Sequence, residues 1–258
     1  VQTCALPIWR GVCGADADII VARNLGRMIA AGAASHSDHG RDLVEVLGAV
    51  AKGEAPGYRI REAEKLKAVA AEYGIQCDGK SVEAIASELS DAMMEDYGSR
   101  KKQVTLVSRA PAKRREIWEK LGIIPRGIDR ETSEMMHRTH MGVDNNWVTL
   151  LLHGMRNALS DGWGGSMIAT EVSDILFGVP KPGANRVNVG VLKKDEVNIV
   201  VHGHNPVVSE MLLTACQAPE LLKLAEANGA KGINLAGVCC TGNELLMRAG
   251  IQIGRAHV

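Results

Sequence analysis

VNIVVHGHNP, residues 197–206, opens with a near-continuously apolar run and closes on a polar turn carrying His202 and His204. A strand buried on both faces reads this way. Pro206 then starts a helix, where its missing N–H costs nothing. INLAGVCCTGNE, residues 233–244, repeats the plan. The run Ile233 to Val238 is a second strand. It ends in Cys239 and Cys240, and Thr241 and Glu244 have the spacing of a capping box, which places a helix N-terminus right after the cysteines. Residues 207–215 and 220–227, between the two strands, have a helical period. A strand–helix–strand unit of this kind is the start of a parallel, doubly wound sheet. Val187 to Leu192 is a further short β-branched run, read as a strand.

Upstream the pattern is helical. Residues 15–34 predict a buried helix, with Gly40 interrupting it and residues 41–52 resuming the period. Pro56–Gly57 breaks the chain, and amphipathic helices are expected over 59–73, 81–97 and 112–121. Residues 133–160 read as one long helix. It runs into Asp161-Gly162-Trp163-Gly164-Gly165, where glycine loosens the backbone, and residues 166–176 are helical again. The expected fold class is therefore α plus α/β: a helical domain over 11–184 followed by a partial Rossmann-like domain over 185–252, with the boundary near Pro180–Gly183. Residues 1–10 and 253–258 (VQTCALPIW and IGRAHV at the extremes) fit no pattern in the rest and read as adapter-derived, which sets Cys4 and His257 aside.

The chain has 258 residues, 46% of them hydrophobic and 23% charged, as in globular proteins. Thirty basic and thirty acidic residues cancel, which gives no support for a nucleic-acid or membrane-surface partner. No apolar run reaches the length of a transmembrane helix, and no signal peptide is visible. The expected location is the cytoplasm. There a disulfide framework is disfavoured, and cysteines are small buried hydrophobes or serve metals and catalysis. Cys77 and Cys216 are assigned to the buried class.

Two parallel strands joined by a right-handed crossover lie side by side, and their carboxyl ends open on one crevice. His204 and Cys239–Cys240 then converge, with the following helix N-terminus favouring thiolate. Imidazole and thiolate suit zinc, iron, nickel or an iron–sulfur cluster. The competing reading is a loop histidine beside packing cysteines. His36 and His39 share a face if the first helix continues, and such a pair ligates metal or relays protons; otherwise they are a solvated turn. His137 and His140 have the same spacing and are read as structural. Cys13 lies between glycines that permit close approach of a cluster, and Asp161 is a candidate buried acid. No dinucleotide fingerprint and no P-loop is present.

Residues 11–41 (GVCGADADIIVARNLGRMIAAGAASHSDHGR), 161–178 (DGWGGSMIATEVSDILFG), 201–211 (VHGHNPVVSEM) and 232–248 (GINLAGVCCTGNELLMR) together resemble the catalytic subunit of anaerobic, nickel-containing carbon monoxide dehydrogenase, over about residues 10–252. The resemblance implies a helical domain followed by Rossmann-like domains, in a homodimer. It implies oxidation of CO with water to CO2, two protons and two electrons at a Ni-4Fe-4S active cluster. The electrons then leave through [4Fe-4S] clusters toward a ferredoxin-like acceptor. It assigns Cys13 to the last ligand of a relay cluster, His204 to the pendant iron, and Cys240, with Cys239 beside it, to the first cysteine ligand of the active cluster. It places His36 above the nickel, His39 next on a proton path, and Asp161 near bound hydroxide. Some members extend the histidine series where this chain has Asp42. The remaining cluster cysteines and a catalytic lysine are expected outside this sequence, which makes it an internal fragment expected to be inactive by itself. Rival readings are a hybrid-cluster protein with hydroxylamine reductase activity, a homologue that senses or scaffolds, and a zinc-binding or thiol-dependent α/β domain.

Overall fold

The computed structural model describes residues 10–100, 103–180, 189–203, 205–240 and 248. Helices come first: α1 (Ala17–Ala51), α2 (Ala63–Glu72), α3 (Val82–Gly98), α4 (Ala112–Leu121), α5 (Ile128–Arg138), α6 (Trp147–Asp161) and α7 (Met167–Phe177). They are followed by β1 (Val197–His202), α8 (Pro206–Cys216), α9 (Pro219–Ala227) and β2 (Ile233–Val238). The two strands pair in parallel, in register from Val197 opposite Ile233 to His202 opposite Val238. Their carboxyl ends therefore coincide, as the sequence predicts. Pro206 occupies the first turn of α8, and the Asn205 side chain caps that helix by accepting from the Val208 N–H at 3.2 Å.

Three local expectations differ from the structure. Gly40 does not interrupt α1, which runs unbroken for 35 residues. A Cβ at Gly40 would collide with the Tyr97 hydroxyl; the glycine permits close helix packing rather than breaking the helix. Residues 133–160 are not one helix but the end of α5 and most of α6. Gly142 takes a left-handed φ of 75°, and Asn146 opens α6 by accepting from the N–H groups of Val148 and Thr149. A left-handed glycine and a capping asparagine outweigh the apolar period across them. In the third region Val189–Val191 form a 3-10 turn in place of a strand, while residues 187 and 188 lie outside the described residues. The glycine stretch after α6 stays helical as a π turn over Gly162–Ser166, a form that recurs at functional sites.

The chain divides into two compact units. One comprises the residues up to Arg41, Ala70–Gln76 and Glu88–Thr170; the other Asp42–Val69, Cys77–Ser87 and the residues from Glu171. In the first, Val104, Val107, Ala110, Trp118 and Ile123 form a core against Leu159 and Trp163, with the two tryptophan rings edge-on at 6.0 Å. In the second, Val201, Cys216 and Leu235 pack with Ile199, Leu212, Leu213 and Ile233 between sheet and crossover. Cys216 is the buried hydrophobe expected of it; Cys77 is only half-buried. Among the described residues, no helix is long and apolar enough to cross a membrane.

Candidate functional site

The unbroken α1 puts His36 and His39 one turn apart on a helix, both half-buried. His36 Nδ1 lies 2.7 Å from Asp161 Oδ1, at the point where α6 becomes the π turn. A Cβ at Gly165 would fall 2.7 Å from Ile128 Cδ1 and 3.8 Å from His36 Cβ, so the glycine lets the turn pack closely against α5 while it lies in contact with α1. Tyr97, buried in the same unit, donates its hydroxyl to the Gly165 carbonyl at 3.3 Å and braces the turn. The hydrogen bond to Asp161 raises the His36 pKa above 6.5, against a smaller opposing effect of burial. Next to His36, Ser37 donates to Asp129 Oδ1, and Arg41 reaches Asp129 Oδ2 at 3.4 Å. The arrangement is an imidazole held in one orientation by a carboxylate, suited to taking and passing protons.

A second ionised cluster was not evident from sequence. Glu131 on α5 is fully buried and accepts from Arg126 Nε, from Arg156 Nε at 2.7 Å and from His153 Nε2 at 2.9 Å. Glu134 accepts from Arg126, Arg130 and Arg156 at 2.9, 3.0 and 3.3 Å. Burial alone would raise the Glu131 pKa; the bonds from His153, Arg126 and Arg156 outweigh it and hold it at about 2. Glu131, Glu134 and His153 also have metal-ligand spacing. With guanidiniums on the oxygens of both carboxylates, however, the cluster is an ion-pair network that ties α5 to α6. The available signal was Arg126, Arg130, Glu131 and Glu134 at helical spacing, facing His153 and Arg156.

Cys13 sits in a turn in which Gly14 N–H bonds the Gly11 carbonyl at 2.8 Å and Gly14 takes φ 81°. Asn145 donates to the Cys13 carbonyl at 2.8 Å, and Arg23, itself bonded to Asn145 Oδ1 at 2.6 Å, points a guanidinium N–H at Cys13 Sγ at 3.8 Å. The Ala15 N–H and, after it, Arg23 lower the Cys13 pKa and favour its thiolate.

At the shared carboxyl end of the strands, Cys239 and Cys240 follow Val238 directly and are exposed, their sulfurs 3.9 Å apart. Cys239 takes φ 65°, a left-handed conformation that is rare outside glycine and is concentrated at functional turns. His204, expected to meet them, lies outside the described residues, as do Thr241 and Glu244. Its neighbour Asn205 is described: besides capping α8, it donates to Asp42 Oδ2 on α1 at 3.3 Å. Thus His36 and Asp161 meet, Cys239 and Cys240 stand side by side, and Asp42 anchors the turn that follows His204.

Residues 2–256 match the Prismane/CO dehydrogenase family. Carbon monoxide dehydrogenase 1 of Methanosarcina acetivorans is 57% identical over 244 residues, which cover 95% of this chain and 39% of that protein. The nickel-free, as-isolated carbon monoxide dehydrogenase of Thermococcus sp. AM4 superposes with a TM-score of 0.89 at 53% identity, over 97% of this chain and 40% of that one. A chain of an acetyl-CoA synthase/carbon monoxide dehydrogenase, whose closed and open alpha subunits hold NiZn[Fe4S4] and NiNi[Fe4S4] clusters, gives 0.85 at 43% identity, over 98% of this chain and 37% of that one. The chain thus spans about 39% of the length of the curated relatives it matches. The chain belongs to the Prismane/CO dehydrogenase family.

Proposed function

We propose that the protein to which this chain contributes oxidises CO with water to CO2, two protons and two electrons, and passes the electrons through [4Fe-4S] clusters to a ferredoxin-like acceptor. The observation that carries this reading is the His36–Asp161 pair at 2.7 Å, in a chain 57% identical over 244 residues to a carbon monoxide dehydrogenase. The donor set fits a Ni-4Fe-4S cluster. Cys240, beside Cys239, would be its first cysteine ligand, His204 would hold its pendant iron, and Cys13, its thiol already biased toward thiolate, would serve a [4Fe-4S] relay cluster. When bound, the nickel–iron–sulfur group supplies Lewis-acid activation of CO and water and a store for two electrons. This chain's own residues do the rest. His36 takes up a proton released at the site, Asp161 keeps its ring oriented, and His39 receives the proton one turn further along α1. Asp42 and Asn205 hold the turn that presents His204.

The parallel β1–β2 pair is, on this reading, the beginning of a Rossmann-like sheet, the whole protein is a cytoplasmic homodimer, and the present chain alone is inactive. Hydroxylamine reduction, as in hybrid-cluster proteins, is the second reading, favoured by a family whose name joins prismane proteins with CO dehydrogenases. The full-length protein, produced anaerobically with nickel and iron, is expected to reduce viologen under CO and to leave hydroxylamine unreduced. The reverse preference would establish the second reading.

A further inference from the structure

His153, Asn157 and Asp161 lie at successive four-residue steps on α6, so they share one face and span about 12 Å at the usual helical rise. The face runs from the inside of the fold to its edge: His153 is 1% exposed and Asn157 0%, while the Asp161 side chain is 24% exposed. One end of the row is fixed by His153 Nε2 on Glu131, the other by Asp161 on His36. Between them, His153 Nδ1 and both side-chain polar atoms of Asn157 have no protein partner among the described residues. A buried amide with neither atom bonded is strongly unfavourable. It persists where water, making two to four bonds, occupies a polar space. The row offers the polar partners a water needs: His153 Nδ1, the Asn157 Oδ1 acceptor and the Asn157 Nδ2 donors.

We infer that this face of α6 is an internal water-binding column, and that it delivers water to the buried side of Asp161. His153 Nε2 donates to the Glu131 carboxylate, which leaves Nδ1 to bond a water. Asn157 bonds the same water and hands a second one toward Asp161. The ion pairs of Glu131 with Arg126 and Arg156 hold His153 in place and so fix the column's far end. That water arriving at Asp161 is a reactant rests on the proposed CO oxidation; the water sites themselves do not.

The test uses the full-length protein, wild type and Asn157→Leu, with Asn157→Ser as the variant that keeps a polar column. High-resolution crystal structures are expected to show ordered water bonded to His153 Nδ1 and Asn157 in the wild type, retained in N157S and lost in N157L. CO oxidation is expected to fall roughly tenfold in N157L and to stay within about twofold in N157S, with nickel and iron content and the His36–Asp161 distance unchanged. A direct Asn157–His153 bond with no water would overturn the column. Water present in the wild type and lost in N157L with full turnover would overturn its role as a route. A protein inactive toward CO would refute the proposed function, and the crystal structures would still decide the water sites.

Discussion

The helical site around His36 and the strand end around Cys239–Cys240 carry their chemistry in opposite ways. His36 draws its partners from its own unit: Asp161 bonds its ring, Gly165 lets the turn approach, and Tyr97 braces that turn. At the strand end two thiols stand exposed beside each other, and Asn205 bonds Asp42. A proton-handling pair needs only an acid, an imidazole and a rigid frame. A cluster needs more sulfur and nitrogen ligands than two adjacent cysteines provide. The first site is preorganised by helix packing; on the proposed reading the second is completed by residues beyond this chain.

Substitutions that separate the two regions should differ in what they break. The largest effect is expected at the helical frame. Glu131→Ala leaves Arg126, Arg156 and His153 without their buried acceptor and should cost about 3–5 kcal/mol, read by chemical denaturation; a loss below about 1 kcal/mol would mean the network adds little. The same network predicts acid sensitivity. Glu131 titrates near 2 in the fold against an ordinary 4.5, so its contribution is complete above pH 4.5 and drains away as the pH falls toward 2.

At the strand end, Cys240→Ser in the full-length protein should leave the fold intact while nickel content and CO oxidation fall by on the order of 100-fold or more, since even outer-shell partners of a metal are worth 10–100-fold. Cys239→Ser should retain most of the nickel. Equal losses in the two variants would assign both thiols to the cluster. At His36, Asp161→Asn should lower turnover by roughly 100-fold without changing metal content. It should also return the His36 pKa toward 6.5. The wild-type pair stabilises the fold fully below about pH 6.5, and that contribution is lost as the pH rises through the raised pKa of His36. Melting temperatures of wild type and variant should therefore converge at alkaline pH. The smallest effect is expected at Asn205→Ala, which removes the α8 cap and the bond to Asp42 and should cost about 1 kcal/mol, with a partial loss of nickel as the His204 turn loosens.

What the sequence revealed and what it hid follow from the range of the forces involved. The β1–α8–α9–β2 unit was legible because an apolar, β-branched run and the helical period are local patterns, and Pro206 marks its own helix start; the expected burial of β1 on both faces is not met among the described residues, since Val197 and Val200 are exposed and only Val201 is buried. The break between α5 and α6 was missed because Gly142 and the Asn146 cap are single-residue signals inside an apolar period. Gly40 was misread for the converse reason: its role depends on Tyr97, 57 positions away in the chain. His36 and Asp161 were both singled out, each for its own neighbourhood, while their pairing needed α1 to continue. The Glu131 network left only charged residues at ordinary helical spacing, indistinguishable from a solvated face until α6 covers it.

The most direct measurement is CO-dependent viologen reduction by the full-length protein and by the present 258-residue chain, both produced anaerobically with nickel and iron. Turnover is expected from the full-length protein and none from the chain alone. Turnover by the isolated chain, or a nickel-loaded full-length protein indifferent to CO, would contradict that expectation.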